Sequence, residues 1–257
     1  MPATDLALLT DAARLAGQTA LAYWRRDPET WTKPDDTPVS AADLAVDRLM
    51  RDALTHARPG YGWLSEEGED DPTRLDRAHC LILDPIDGTR AFLDGQRTWA
   101  ISLAVTTGPD VTAAVVHLPA RDLTYTATRA GAFLNGARLS CGTHARPQNA
   151  RVMANRAVLR PEHWRAPPQV RQIFRPSMAY RLACVADDKC DAMLTFRQAW
   201  EWDIAAGALI AAASGATVTD RTGGPLRFNS PRAATDGVLA ANPALHAGLR
   251  AALADAA

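Results

Sequence analysis

Cysteine is scarce in this sequence, and no two of its cysteines are spaced to act together. Cys80, Cys141, Cys184 and Cys190 are scattered without a C-x-x-C spacing, so neither a zinc ribbon nor a dithiol redox centre is encoded. They read as reduced thiols of a cytoplasmic protein, because a chain this long can build its core without disulfide staples. No basic stretch followed by an apolar run stands at the N-terminus, so no secretory signal is expected. Long hydrophobic runs are missing as well. The longest weakly polar stretch, Ile204 to Ala216, is interrupted by Gly207, Ser214 and Gly215, and it falls short of the roughly 20 apolar residues that cross a bilayer. No membrane partner is expected. Nor is there an excess of charge, since Lys+Arg number 28 against Asp+Glu 29. That balance excludes a nucleic-acid polymer as partner, which is held by a basic field that displaces counterions. The phosphate loop G-x-x-x-x-G-K-[ST] and the metalloprotease H-E-x-x-H are absent, and the six histidines show no ligand spacing. Any activity must therefore lie in a local constellation.

What is present is an ordinary globular composition, 257 residues with 47% hydrophobic and 22% charged side chains, enough for one or two domains. Apolar residues at three- and four-residue steps predict a helix over 5–26, capped by Thr4 or Asp5. Two prolines and two aspartates make 33–38 a turn-rich loop, and Ser40 with Asp43 forms a capping-box pattern that opens a second helix. Runs at 100–107, 111–118 and 123–128 separated by short turns predict an antiparallel meander, followed by a hairpin at 131–136. Beyond about residue 145 the pattern changes. Strands are expected at 151–154, 191–196, 216–219 and 237–241, alternating with helices near 177–187, at 203–214 and at the C-terminal end. The expected organisation is thus an α+β half over 1–145 and an α/β half over 146–257.

Carboxylates mark the candidate site. In Cys80-Leu-Ile-Leu-Asp-Pro-Ile-Asp-Gly-Thr-Arg90 an apolar strand runs into Asp84 and Asp87, with Pro85 between them and Gly88-Thr89 after them. Asp84 is expected to end the strand and Asp87 to cap a helix that starts at Gly88. Two hard-oxygen donors beside a helix N-terminus suit Mg²⁺ and a phosphate. Glu66 and Glu67 end another apolar run, and Asp203 stands in Trp200-Glu-Trp-Asp203 at the mouth of a predicted helix. Asp43 falls at the edge of the buried stripe of its helix, where an acid needs a partner. Taken singly, each of these acids also fits a turn, a cap or a solvated face. The spacing excludes the D-x-D pair of haloacid-dehalogenase phosphatases, because these two aspartates are separated by two residues, one of them a proline.

Lys33…Pro38-Val-Ser-Ala-Ala-Asp43, Ser65-Glu-Glu67, Asp84-Pro-Ile-Asp-Gly-Thr89 and Trp202-Asp-Ile-Ala-Ala-Gly207 resemble, in order and spacing, the motifs of the inositol monophosphatase superfamily of Mg²⁺-dependent, Li⁺-sensitive phosphatases. The resemblance runs from about residue 5 to 250. It implies a layered α-β-α-β-α sandwich, the sugar-phosphatase fold of mixed α+β and α/β character, with the metals at the seam between the halves. It further implies that Glu66, Asp84 and the Ile86 carbonyl hold one Mg²⁺, that Asp84, Asp87 and Asp203 hold a second, and that a weaker third ion touches Glu66. Asp43 and Thr89 would activate the attacking water, and Gly88 and Thr89 would receive the phosphate through their backbone N–H groups. A small phosphorylated metabolite is the implied partner, and a homodimer is common in the family.

Within the superfamily, Thr37-Pro-Val-Ser-Ala-Ala-Asp43, Leu64-Ser-Glu-Glu67, Leu118-Pro-Ala-Arg121 and Glu201 inside Trp200-Glu-Trp-Asp203 look most like the 3'(2'),5'-bisphosphate nucleotidases. The alternatives are inositol-1-phosphate, histidinol-phosphate and fructose-1,6-bisphosphate hydrolysis, and, outside enzymes, a metal- or phosphometabolite-binding regulator. Many members carry an acid where Thr37 stands. A second phosphate would need cations, for which Arg90, Arg181, Lys189 and Arg197 are candidates, and Trp200 or Trp202 could stack an adenine. Each of these also fits ordinary surface or core use.

Overall fold

The computed structural model describes residues 4–34 and 36–254. Helix α1 (Asp5–Tyr23) starts where the Thr4 hydroxyl accepts the Ala7 N–H at 3.3 Å, and it buries Leu9, Ala12, Ala13, Ala16 and Ala20. β1 (Thr30–Thr32) and β2 (Pro38–Ser40), the second starting at the last residue of the expected loop, pair antiparallel from Thr30 against Ser40 to Thr32 against Pro38 as a hairpin. Every residue of β1 is exposed, so no apolar alternation announces it. Helix α2 (Ala41–Ala57) opens with the expected capping box, Asp43 accepting from the Ser40 N–H at 2.8 Å and the Ser40 hydroxyl at 2.5 Å.

Both helices cover one face of a seven-stranded sheet. Its strands are β3 (Gly62–Ser65), β4 (His79–Asp87), β5 (Ala100–Thr107), β6 (Asp110–Leu118), β7 (Leu123–Thr128), β8 (Gly131–Leu134) and β9 (Ala137–Arg138), which lie side by side in chain order. Only β3 and β4 run parallel; the rest pair antiparallel, with β5, β6 and β7 as the predicted meander and β8 with β9 as the hairpin after it. Between β4 and β5, helix α3 (Thr89–Leu93) is pinned by Phe92, whose ring meets Trp99 edge-on at 5.0 Å.

Helices α4 (Met178–Ala186) and α5 (Glu201–Ala213) fill the other face. They separate it from a five-stranded sheet of β10 (Arg151–Met153), β11 (Arg171–Ile173), β12 (Ala192–Trp200), β13 (Thr217–Thr219) and β14 (Ala234–Ala241), in the order β11-β10-β12-β14-β13. Helix α6 (Pro243–Ala252) covers the far face of that sheet. The layers are therefore α-β-α-β-α, as the resemblance implied. Each fully buried Leu, Ile or Val between them contributes about 1.5–3 kcal/mol relative to exposure.

Four local expectations are corrected. β4 does not stop at Asp84: it bulges there and continues, with Asp84 opposite Ser102 and Asp87 opposite Ala100. The residue capping α3 is Gly88, in the left-handed region at φ 99°, and Asp87 caps a different helix. β12 runs on to Trp200 and α5 starts at Glu201, so Asp203 lies inside the first turn. β14 begins at Ala234, three residues before its expected start.

Candidate metal and phosphate site

The bulge in β4 is what brings two aspartates to one side of a strand, where strict alternation would send residues three apart to opposite faces. Asp84 and Asp87 are both buried, and the first turn of α5 adds Asp203, so that carboxylate oxygens of all three lie within 4.8 Å of one another. The three are held unequally. Asp84 accepts the Ile86 N–H at 2.9 Å. Asp87 accepts the Ser177 hydroxyl at 2.6 Å and the N–H groups of Met178 and Ala179 at 3.1 and 2.7 Å, which makes it a cap for the N-terminus of α4. Asp203 accepts no hydrogen bond from any described residue.

Burial, then the charges of Glu66, Asp87, Asp203 and Asp43, raises the Asp84 carboxyl well above the usual range. Burial and the charge of Asp87 do the same to Asp203. At Asp87 burial outweighs the Ser177, Ala179 and Met178 hydrogen bonds and pushes it up to about 6. Three hard oxygen donors crowded into a space that disfavours their charge fit a divalent cation, which would offset that charge. Beside them, the Thr89 hydroxyl lies 3.2 Å from both Asp43 Oδ1 and the Ile86 carbonyl, either of which can accept its proton. Burial pushes Asp43 up to about 6 against the hydrogen bonds from Ser40.

Glu66 is not one of the converging three. Lys33, at the tip of the β1–β2 hairpin, donates to Glu66 Oε1 at 2.8 Å and to Glu67 Oε1 at 2.7 Å, although the charge of Glu66 still reaches Asp84, Asp203 and Asp43. Burial pushes Glu67 up to about 7. Among the cations considered for a second phosphate, Arg90 donates to the Asp36 carbonyl at 2.8 Å, which ties it to the segment between β1 and β2. Arg181 is buried and braces the turn before α4 by donating to the carbonyls of Arg175 and Pro176, with its guanidinium 4.2 Å over Phe174. Lys189 is bound to the Asp187 carboxylate and to the Tyr125 hydroxyl at 2.9 Å. Arg197 lies in the irregular stretch of β12, where its charge reaches Asp203. Trp200 is 40% exposed and stacks on Trp202 at 4.9 Å with planes 9° apart.

Glu201, which looked like a mark of the nucleotidases, is completely buried and holds the loop at 229–230. Lys33 and Ser177 were not assigned roles from sequence. The Ser177 cap before the apolar Met178–Ala186 run is a legible helix start, but nothing local says that its hydroxyl reaches Asp87. No helix among the described residues is long and apolar enough to cross a membrane.

The chain is 38% identical over 204 residues to an inositol-1-monophosphatase of Rhizobium meliloti (strain 1021), covering 75% of this chain and 76% of that protein. It is 31% identical over 243 residues to a 3'-phosphoadenosine 5'-phosphate phosphatase of Mycobacterium leprae (strain TN), covering 88% and 84%. Among solved structures, the extragenic suppressor protein suhB from Bartonella henselae matches with a TM-score of 0.83 at 27% identity over 98% of both chains. The sequence pattern of the inositol monophosphatase family matches residues 2–257. The chain belongs to that family and is a phosphoric monoester hydrolase.

Proposed function

We propose that this member of the inositol monophosphatase family is a Mg²⁺-dependent phosphomonoesterase that removes the 3'-phosphate of 3'-phosphoadenosine 5'-phosphate. The observation that carries the metal-dependent part is the convergence of Asp84, Asp87 and Asp203 within 4.8 Å. These three would hold the ions, with the Ile86 carbonyl and Glu66 as further donors, about two to three Mg²⁺ in all. Bound there, Mg²⁺ supplies Lewis acidity toward the phosphoryl oxygens and the leaving alkoxide and lowers the pKa of water. The residues of the chain do the rest. Asp43 accepts the Thr89 proton, which leaves the Thr89 oxygen free to take a proton from the attacking water and to orient it. Gly88, in its left-handed turn, opens the N-terminus of α3 so that the first backbone N–H groups face the phosphate. The exposed face of Trp200, backed by Trp202, offers a stacking surface for adenine, and Arg90 and Arg197 supply positive charge for the 5'-phosphate.

Inositol 1-phosphate is the second reading, favoured by the higher identity of the Rhizobium meliloti enzyme. Phosphate release with Mg²⁺ from 3'-phosphoadenosine 5'-phosphate, inositol 1-phosphate, histidinol phosphate and fructose 1,6-bisphosphate separates them. The nucleotide is expected to give the highest kcat/KM, and a higher value for any of the other three overturns the nucleotide assignment. Chelation of divalent ions is expected to stop the reaction with every substrate.

A further inference from the structure

Of the three converging carboxylates, Asp203 alone accepts no hydrogen bond from a described residue, so the anchoring of the first turn of α5 sets its position. That turn is tied at two points. The Ser102 hydroxyl, on the β5 residue opposite Asp84, donates to the Trp202 carbonyl at 3.0 Å. Two residues before Asp203, the fully buried Glu201 carboxylate accepts from the Asn229 N–H at 2.6 Å, the Ser230 N–H at 2.9 Å and the Ser230 hydroxyl at 2.6 Å. The Glu201 N–H adds a bond to the Ala233 carbonyl at 2.8 Å.

The far side of the same two loop residues is gripped by Arg74. Its guanidinium donates to Asn229 Oδ1 at 2.7 Å and to the Ser230 carbonyl at 2.9 Å, and Asn229 Nδ2 returns a bond to the Arg74 carbonyl at 3.2 Å. The remaining fork of Arg74 holds Asp70 at 2.6 and 2.9 Å. The Arg74 side chain is only 1% exposed. Room for it depends on Gly62 of β3, where a Cβ would come within 2.8 Å of Arg74 Cβ. Burying an arginine and a glutamate costs several kcal/mol per ion before pairing, and an apolar filling can be as stable. What such a network provides beyond stability is a fixed geometry, and here it joins the segment that follows Glu66 to the helix that carries Asp203.

We infer that Arg74 and Glu201, linked through Asn229 and Ser230, are positioning residues that hold Asp203 against Asp84 and Asp87. This rests on the reading of those three carboxylates as metal donors. The partners that orient a metal-binding group typically change metal affinity about 10- to 100-fold when removed.

The test is Mn²⁺ binding to the metal-free full chain, followed by electron paramagnetic resonance, alongside the Mg²⁺ dependence of the rate. Glu201→Gln is expected to weaken Mn²⁺ about tenfold or more, and Ser230→Ala, which removes a single hydroxyl, about threefold. Both variants should regain most of the wild-type kcat at saturating Mg²⁺, because the chemical groups are intact. A purely structural network would lower the melting temperature and leave Mn²⁺ affinity unchanged; that result in Ser230→Ala overturns the inference even if Glu201→Gln does not fold. Absence of Mn²⁺ binding by the wild type would instead remove the metal-site reading. The anchoring itself is then read from hydrogen exchange of the α5 amides, which should quicken in Ser230→Ala, and unchanged exchange would overturn it.

Discussion

The two sheets bring their carboxylates to the site in different ways. In the seven-stranded sheet spatial order equals chain order, and the bulge of β4 that carries Asp84 and Asp87 is secured by its immediate partner β5 and by an N–H two residues away. In the five-stranded sheet the order is β11-β10-β12-β14-β13, and Asp203 follows β12 on a helix whose first turn depends on Ser102, 100 residues earlier, and on Ser230, 29 residues later. On the first side local backbone geometry sets where the donors leave the strand, and a long-range contact enters only at the Asp87 carboxylate, which caps α4; on the second, long-range contacts hold the whole turn that carries Asp203. The first arrangement makes a motif that can be read; the second makes a position that can be adjusted.

The largest expected effect tests that asymmetry. The Asp84 carboxyl is raised by its burial and by the charges of Glu66, Asp87, Asp203 and Asp43 together. Asp84→Asn is expected to lower kcat/KM by about 10³-fold or more, since metal charge is the main catalyst proposed. Asp203→Asn, which removes the donor whose helix turn is held by long-range bonds, is expected to cost about 10²-fold and to be partly recovered by raising Mg²⁺. Steady-state rates over a Mg²⁺ titration check both. Equal losses with no recovery for Asp203→Asn would erase the distinction between the two sides.

A smaller effect concerns stability without metal. Asp43 and Asp87 are pushed from 3.8 up to about 6 by burial, and Asp84 and Asp203 are also raised. Across that window the folded protein binds more protons than the unfolded chain, so these groups stabilise at low pH and that stability is lost as pH rises through the folded values. Metal-free Asp84→Asn is therefore expected to melt above the metal-free wild type, with the gap widening by several degrees between about pH 5 and about pH 7.5. Excess Mg²⁺ should reverse the ranking at the higher pH. Calorimetry in chelator and in Mg²⁺ measures this, and a gap that narrows with pH would contradict the charge crowding.

What could be read in advance follows the same division. The capping box of Ser40 and Asp43, the meander from Ala100 to Thr128 and the Asp84-to-Thr89 turn are encoded by neighbours in the chain, and the structure places them as expected apart from the continuation of β4 to Asp87 and the cap of α3, which is Gly88 rather than Asp87. The β1–β2 hairpin and β11 were not legible, because strands of three residues, fully exposed in β1 and mostly so in β11, carry no period-two pattern. The partner of Asp87 was misassigned for a related reason: a local cap on α3 competes in sequence with a distant cap on α4, and in the structure Gly88 takes the first position while Asp87 takes the second. Glu201 reads from sequence as part of a substrate motif, yet its three hydrogen-bond donors lie about thirty residues on, where no spacing rule reaches.

The smallest effect sharpens the comparison at its junction, where β12 ends and α5 begins. Trp200 is 40% exposed, and its indole already lies parallel to Trp202 at 4.9 Å. A base laid on the free face would gain one-sided stacking on a pre-oriented ring, worth about 1 kcal/mol. Trp200→Ala is expected to raise KM for 3'-phosphoadenosine 5'-phosphate about 5- to 10-fold and to leave kcat nearly unchanged. Because an inositol ring offers no aromatic face, KM for inositol 1-phosphate should stay within about twofold. If both substrates lose equally, Trp200 acts by supporting the first turn of α5 rather than by touching a base, and the contribution of the five-stranded side is placement alone.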